Sequence, residues 1–205
     1  MQKSERIFKL IILLISLIGI ILHLESGFKT FGYNIFWFFT VLSNIAVLLH
    51  YICFFFIPVK ISYRVKGYLL EPIMLTGIIN WFILVPFVLK EYGSILPLLQ
   101  PSNFFVHGLI PVLVIIDWFV FDPKGIFDKK DYLRWMIIPL LYSIIIYVRA
   151  LFGKAIFQGS RYPYPFFDPK HMNGVIGVIV VLVLISICYV FIGKLLYKIK
   201  ESKRI

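Results

Sequence analysis

The stretch Asn103-Phe-Phe-Val-His107-Gly-Leu-Ile-Pro111-Val-Leu-Val-Ile-Ile-Asp117-Trp-Phe-Val-Phe-Asp122-Pro123 decides how this chain folds. It is apolar enough to cross a bilayer, which takes roughly 20 residues as a helix. Yet it carries His107 near its start and Asp117 near its end. Ionisable groups in hydrocarbon are costly, so they face a protein interior or a water-filled cavity and mark functional sites. A histidine there can also move protons near neutral pH. The question the stretch poses is what stands opposite His107.

The rest of the chain repeats its character. The apolar fraction is 60% and the mean hydropathy +0.92, more apolar surface than a water-soluble domain of this size conceals. Six spans follow from the apolar runs: about 7–24, 34–57, 68–89, 103–121, 132–152 and 174–197. The expected fold is all-α, one six-transmembrane-helix bundle filling residues 1–205 as a single integral membrane domain. Cys53 and Cys188 fall inside apolar runs and are expected to be packed, reduced thiols without a disulfide. The first run has a basic start but is followed by Leu-His-Leu-Glu-Ser-Gly rather than a small-residue cleavage site, so it reads as a retained anchor.

The net charge of +11 does not point to nucleic acid, because the cations lie between the apolar runs, where they set orientation. Lys3, Arg6, Lys9, Lys60, Arg64, Lys66, Lys124, Lys129, Lys130, Arg134 and the five cations from Lys194 to Arg204 fall on one side, fifteen in all. Lys29, Lys90, Arg149, Lys154, Arg161 and Lys170 fall on the other. The positive-inside rule then places both termini in the cytoplasm.

Topology gives depth. Thr40 lies roughly 9 Å below the outer end of span two, and His107 roughly 6 Å below that of span four. Arg149 on span five and the loop carrying Arg161, Tyr162, Tyr164 and Asp168 share that level. On span two Thr40, Ser43, Asn44, Val47 and Tyr51 fall on one face, as do Thr76 and Asn80 on span three and Trp135, Tyr142 and Arg149 on span five. Such stripes are expected to face the bundle interior. Asp117 is roughly 15 Å deeper than His107 and cannot orient it.

Two readings of this level stand side by side. In one, His107 takes the proton of Thr40, whose hydroxyl is otherwise weakly nucleophilic, and Asn44 or backbone N–H groups near Pro111 steady an oxyanion. In the other, Thr40 bonds a carbonyl of its own helix and His107 is an interhelical contact. Arg149 binds a carboxylate in the first case and snorkels in the second. Asp117 and Asp122 read either as a proton path or as a bundle pair and a turn cap. His23, His107 and His171 show no metal-ligand spacing, so no metal is expected.

The motifs Phe39-Thr40-Val-Leu-Ser43-Asn44, His107-Gly-Leu-Ile-Pro111, Asp117-Trp118-Phe-Val-Phe-Asp122-Pro123, Tyr142-Ser-Ile-Ile-Ile-Tyr147-Val-Arg149 and Tyr162-Pro-Tyr164-Pro-Phe-Phe-Asp168 together resemble the bacterial six-helix "Pr-six-Pr" membrane family. That family is distantly similar to the androgen-induced and androgen-dependent TFPI-regulating membrane proteins, intramembrane threonine hydrolases that cleave fatty acid esters of hydroxy fatty acids. The resemblance covers nearly the whole chain. It implies a multi-pass protein of a bacterial plasma membrane and a lipid-ester hydrolase with Thr40 as nucleophile and His107 as base. No cofactor is expected, and the partners would be membrane lipids and a lipid ester or fatty acid. Ser43, Asn44, Asn80, Tyr142, Arg149, Arg161 and Tyr164 are the expected substrate-binding and oxyanion residues. The alternative is a non-enzymatic bundle that binds or transports lipid through the same polar cluster.

Overall fold

A computed structural model describes residues 2–156 and 159–201. Their regular elements are all helical, with no strand among the described residues. Helix α1 (Lys3–Phe31) ends at Gly32, whose φ of 54° suits a glycine, and passes through a 3-10 turn (Gly32–Trp37) into α2 (Phe39–Cys53). Helix α3 (Val59–Leu84) starts directly after Pro58. Helices α4 (Pro101–Phe121), α5 (Asp131–Phe152) and α6 (Val175–Glu201) complete the bundle.

Five of these are long and apolar enough to cross a membrane, and α2, at 15 residues, is shorter. The expected second span, 34–57, is thus cut at its start by the 3-10 turn, which puts Thr40 in the first turn of a helix rather than six residues into one. Span one runs further than 7–24. Span three begins near 59 rather than 68, because Lys60, Arg64 and Lys66, expected in a loop, lie in the first turns of α3. Cys53 and Cys188 are free, but both are exposed on the apolar outside rather than packed.

The bundle has an inside-out surface. Leu14, Ile18, Ile21, Leu140, Ile144, Ile176 and Leu184 are exposed, as lipid-facing residues are, while α1 buries Glu5, Lys9, Ile12, Ser16 and Gly19 along one stripe. Asp117 of α4, wholly buried, receives Lys9 of α1 at 2.6 Å and the Tyr51 hydroxyl of α2 at 2.8 Å. Lys66 of α3 joins Asp117 and Asp122, and Lys200 of α6 donates to the Asp122 carbonyl at 2.7 Å. This ionic knot ties five helices at one end of the bundle.

The opposite end holds two π turns, Asn80–Leu84 in α3 and Phe105–Leu109 in α4. Each closes on the residue just before a proline: Val85 N–H donates to Asn80 O before Pro86, and Ile110 N–H to Phe105 O before Pro111. A proline has no N–H for the next rung of the ladder, and the wider turn absorbs the gap. Neither proline ends the helical run, which continues over Val85–Tyr92 beyond α3 and over Ile110–Phe121 within α4. The carbonyl of His107, which residue 111 would normally bond, instead accepts from Trp81 Nε1 at 3.0 Å.

Small residues let the neighbours close on the α4 π turn. A Cβ on Gly19 would lie 2.9 Å from Phe105 Cβ, and one on Gly77 would lie 3.0 Å from the His107 carbonyl oxygen. We expect Gly77→Val to destabilise the protein by about 1–3 kcal/mol, because its methyls must push α3 off α4. Thermal unfolding in detergent reads this, and an unchanged midpoint contradicts the contact.

Candidate active site

Thr40 is buried in the first turn of α2. Its Oγ1 lies 3.0 Å from Nε2 of His107, which is buried in the π turn of α4. The other ring nitrogen, Nδ1, lies 3.2 Å from the carbonyl oxygen of Asn103, one turn earlier on the same helix. A carbonyl only accepts, so this contact assigns the ring proton to Nδ1 and leaves Nε2 as the acceptor for the threonine hydroxyl. That is the tautomer a general base needs. His107 also meets the ring of His23 of α1 edge-on, centroids 5.9 Å apart, and His23 Nδ1 lies 3.1 Å from the Ser102 carbonyl.

The third party comes from far along the chain. The hydroxyl of Tyr164, buried and stacked at 5.2 Å on Phe166, lies 3.3 Å from Thr40 Oγ1 and accepts the Thr40 backbone N–H at 3.3 Å. The first N–H groups of a helix have no partner within it and carry its positive end. The Tyr164 oxygen therefore sits where α2 would attract a negative oxygen. The segment holding Tyr164 is pinned by Asp168, which accepts from Ser160 Oγ at 2.7 Å and from Lys170 N–H at 2.9 Å. Burial alone would raise that carboxyl, but these donors hold it below the ordinary aspartate value.

Other hydroxyls in the bundle behave differently. Thr76 donates to the Ile73 carbonyl at 2.7 Å, Ser143 to Pro139 at 2.8 Å and Ser43 to Thr40 at 3.1 Å. These are back-bonds within one helix. The partners of the Thr40 hydroxyl are both on other elements. Asn44 holds the frame, since its Nδ2 donates to the carbonyls of Thr40 at 2.8 Å and of Val106 at 3.2 Å, clamping α2 to the α4 π turn. With both amide hydrogens so engaged, it does not point a donor at Thr40 Oγ1.

Thr40 and His107 border a cavity of ≈ 140 Å³. Most of its wall is apolar: Leu75 and Ile79 of α3, Leu140 of α5, Phe166 and Phe167, and Leu182 and Ile185 of α6. Leu140 is also exposed on the outside of the bundle, so the cavity lies just behind the lipid-facing surface between α5 and α6. Thr76, Ser143 and Ser186 are its other polar lining residues besides Thr40, His107 and the two tyrosines.

Of the expected site residues, the fold gathers Thr40, His107, Tyr164, Ser43 and Asn44 at one point. Tyr142 lines the cavity and donates to the Trp37 carbonyl at 2.8 Å. Asn80 is buried away from the cavity lining, in the α3 π turn. Arg149 and Arg161 are also apart from it, as Arg149 donates to the Arg161 carbonyl at 3.0 Å and lies over the Trp37 ring. Sequence reasoning weighed His23 only as a metal ligand and did not single out Trp81. The signal for Trp81 was Pro111, which orphans the carbonyl that the indole takes. No cluster of three or more metal-ligating side chains occurs among the described residues.

No protein-family model, curated protein or solved structure matches this chain. The functional reading therefore stands on the site itself.

Proposed function

We propose that this protein is an intramembrane hydrolase of lipid esters, of the kind in which one fatty acid is esterified to the hydroxyl of another. Thr40 is its nucleophile and His107 its general base. The observation that carries the reading is the 3.0 Å contact between Thr40 Oγ1 and His107 Nε2 at the wall of an apolar cavity, with Nδ1 held by a carbonyl. The resemblance to the six-helix bacterial family and its distant threonine-hydrolase relatives agrees with it. In this reading the six helices span a bacterial plasma membrane with both termini in the cytoplasm, and α2 crosses together with its 3-10 lead-in.

The chemistry runs in two halves. Nε2 takes the Thr40 proton as Oγ1 adds to the ester carbonyl carbon. The carbonyl oxygen becomes an oxyanion at the positive end of α2, where the Tyr164 hydroxyl donates to it. The C–O bond to the alcohol then breaks, and the imidazolium returns its proton to the leaving oxygen. Water, deprotonated by His107, next attacks the acyl-threonine, the bond from the acyl carbon to Oγ1 breaks as the imidazolium returns that proton to Oγ1, and the fatty acid leaves. Every step conserves protons between Thr40, His107, water and substrate, and no cofactor is required. Entry from the bilayer side, past Leu140, matches a substrate dissolved in lipid.

The test is labelling of the detergent-solubilised protein with a fluorophosphonate probe, read by intact mass and peptide mapping. One adduct on Thr40, absent from Thr40→Val, supports the reading. A well-folded sample with neither an adduct nor release of fatty acid from a hydroxy-fatty-acid ester refutes it. Within this reading Tyr164→Phe should lower kcat by roughly 10²–10³-fold, the usual effect of losing one oxyanion donor. Full kcat in that variant assigns Tyr164 to packing alone.

A further inference from the structure

A second groove, of ≈ 400 Å³, lies behind the wall formed by Phe39 and Tyr142, whose rings stand 4.9 Å apart. Its α5 side is the stripe Ile138, Leu141, Tyr142, Ile145 and Ile146. These positions recur at helical spacing, and the next residue in the series is Arg149. Across from them stand Leu42 and Ala46 of α2 and Leu69 of α3, with Trp37 at the end where Arg149 lies. From Ile138 to Arg149 the stripe rises roughly 16 Å, about half the ~30 Å hydrocarbon core. The groove and the arginine beyond its end thus together span about one leaflet.

Its charged end is not neutralised by the protein. The Arg149 guanidinium lies 5.5 Å over the Trp37 ring, half-buried, and Arg161 beside it is exposed. Arg149 donates to the Arg161 carbonyl at 3.0 Å, and Arg161 to the Ala150 carbonyl at 3.3 Å. Neither forms an ion pair with a carboxylate among the described residues. Two adjacent cations with donors to spare, at the mouth of an apolar groove, fit a phosphodiester with an acyl chain below it. Arginine suits that oxygen geometry because its planar fork bonds two oxygens at once.

We propose that this groove binds one anionic phospholipid of the surrounding leaflet, its phosphate on Arg149 and Arg161 and one acyl chain along the α5 stripe. The bound lipid backs the wall that the Thr40 cavity shares, and Tyr142 faces both. The site does not depend on the hydrolase reading.

The experiment is native mass spectrometry of the full chain released from nanodiscs of equal phosphatidylcholine and phosphatidylglycerol. Wild type, Arg149→Gln/Arg161→Gln and the groove-filling Ile145→Trp are compared, each checked for its folded state by melting temperature. Wild type should keep one phosphatidylglycerol in at least tenfold excess over phosphatidylcholine. The double arginine variant should lose that preference, and Ile145→Trp should lose the retained lipid while both arginines remain. Equal retention of the two lipids by wild type overturns the proposal. So does a preference that survives both sets of substitutions.

Discussion

Thr40→Val should lower turnover of a fatty-acid ester by at least roughly 10³-fold, the scale on which hydrolases lose rate when the nucleophile is removed. Valine keeps the branched shape and deletes only the oxygen that meets His107 Nε2 and Tyr164. The fold should survive, at a loss of about 1–3 kcal/mol from leaving buried polar partners unmatched. Thr40→Ser restores a hydroxyl and should recover measurable turnover. His107→Ala should cost roughly 10²–10⁴-fold as the base is lost. Because the two act on one proton, Thr40→Val/His107→Ala should be little worse than Thr40→Val alone. Turnover that persists in folded Thr40→Val removes Thr40 as the nucleophile.

The level of this pair was legible before the fold. Counting cations gave an orientation, helical rise gave depth, and together they set Thr40 and His107 near one plane. The polar face Thr40–Ser43–Asn44–Val47–Tyr51 was readable too, since helix spacing alone aligns it, and all five residues are buried. What the sequence hid was mostly non-local. Tyr164 is expected at this level from its loop, but its contact with Thr40, 124 positions away, is not, because that irregular segment has no periodicity and is pinned by Asp168. Lys9 and Lys66 read as orienting charges because a lysine's partner is not written beside it, and for Lys9 the partner is 108 positions away. Burial of such residues is tolerable only where carboxylates meet them, a property of the assembled bundle.

That ionic knot carries the second large effect. Asp117→Ala should destabilise the protein by roughly 3–5 kcal/mol, the usual result of removing one partner of a buried ion pair. Both lysines are affected, since Lys9 and Lys66 are 0–1% exposed and each contacts Asp117. A balanced exchange separates charge from shape. Lys9→Met with Asp117→Asn removes one charge of each sign and leaves Lys66 facing Asp122. By unfolding in detergent it should be more stable than Asp117→Ala by at least half of that variant's loss. If the double variant is no more stable than Asp117→Ala, lost packing rather than unpaired charge explains the effect. The consequence reaches beyond stability, because the knot and the site draw on the same four helices. Lys9 and His23 lie on α1, Tyr51 and Thr40 on α2, Lys66 and Trp81 on α3, and Asp117 and His107 on α4. Fixing the axial register of those helices at one end fixes, roughly 15 Å away, the height at which His107 meets Thr40. Asp117→Ala should therefore depress turnover even in the fraction that stays folded, and the balanced pair should restore it in parallel with stability.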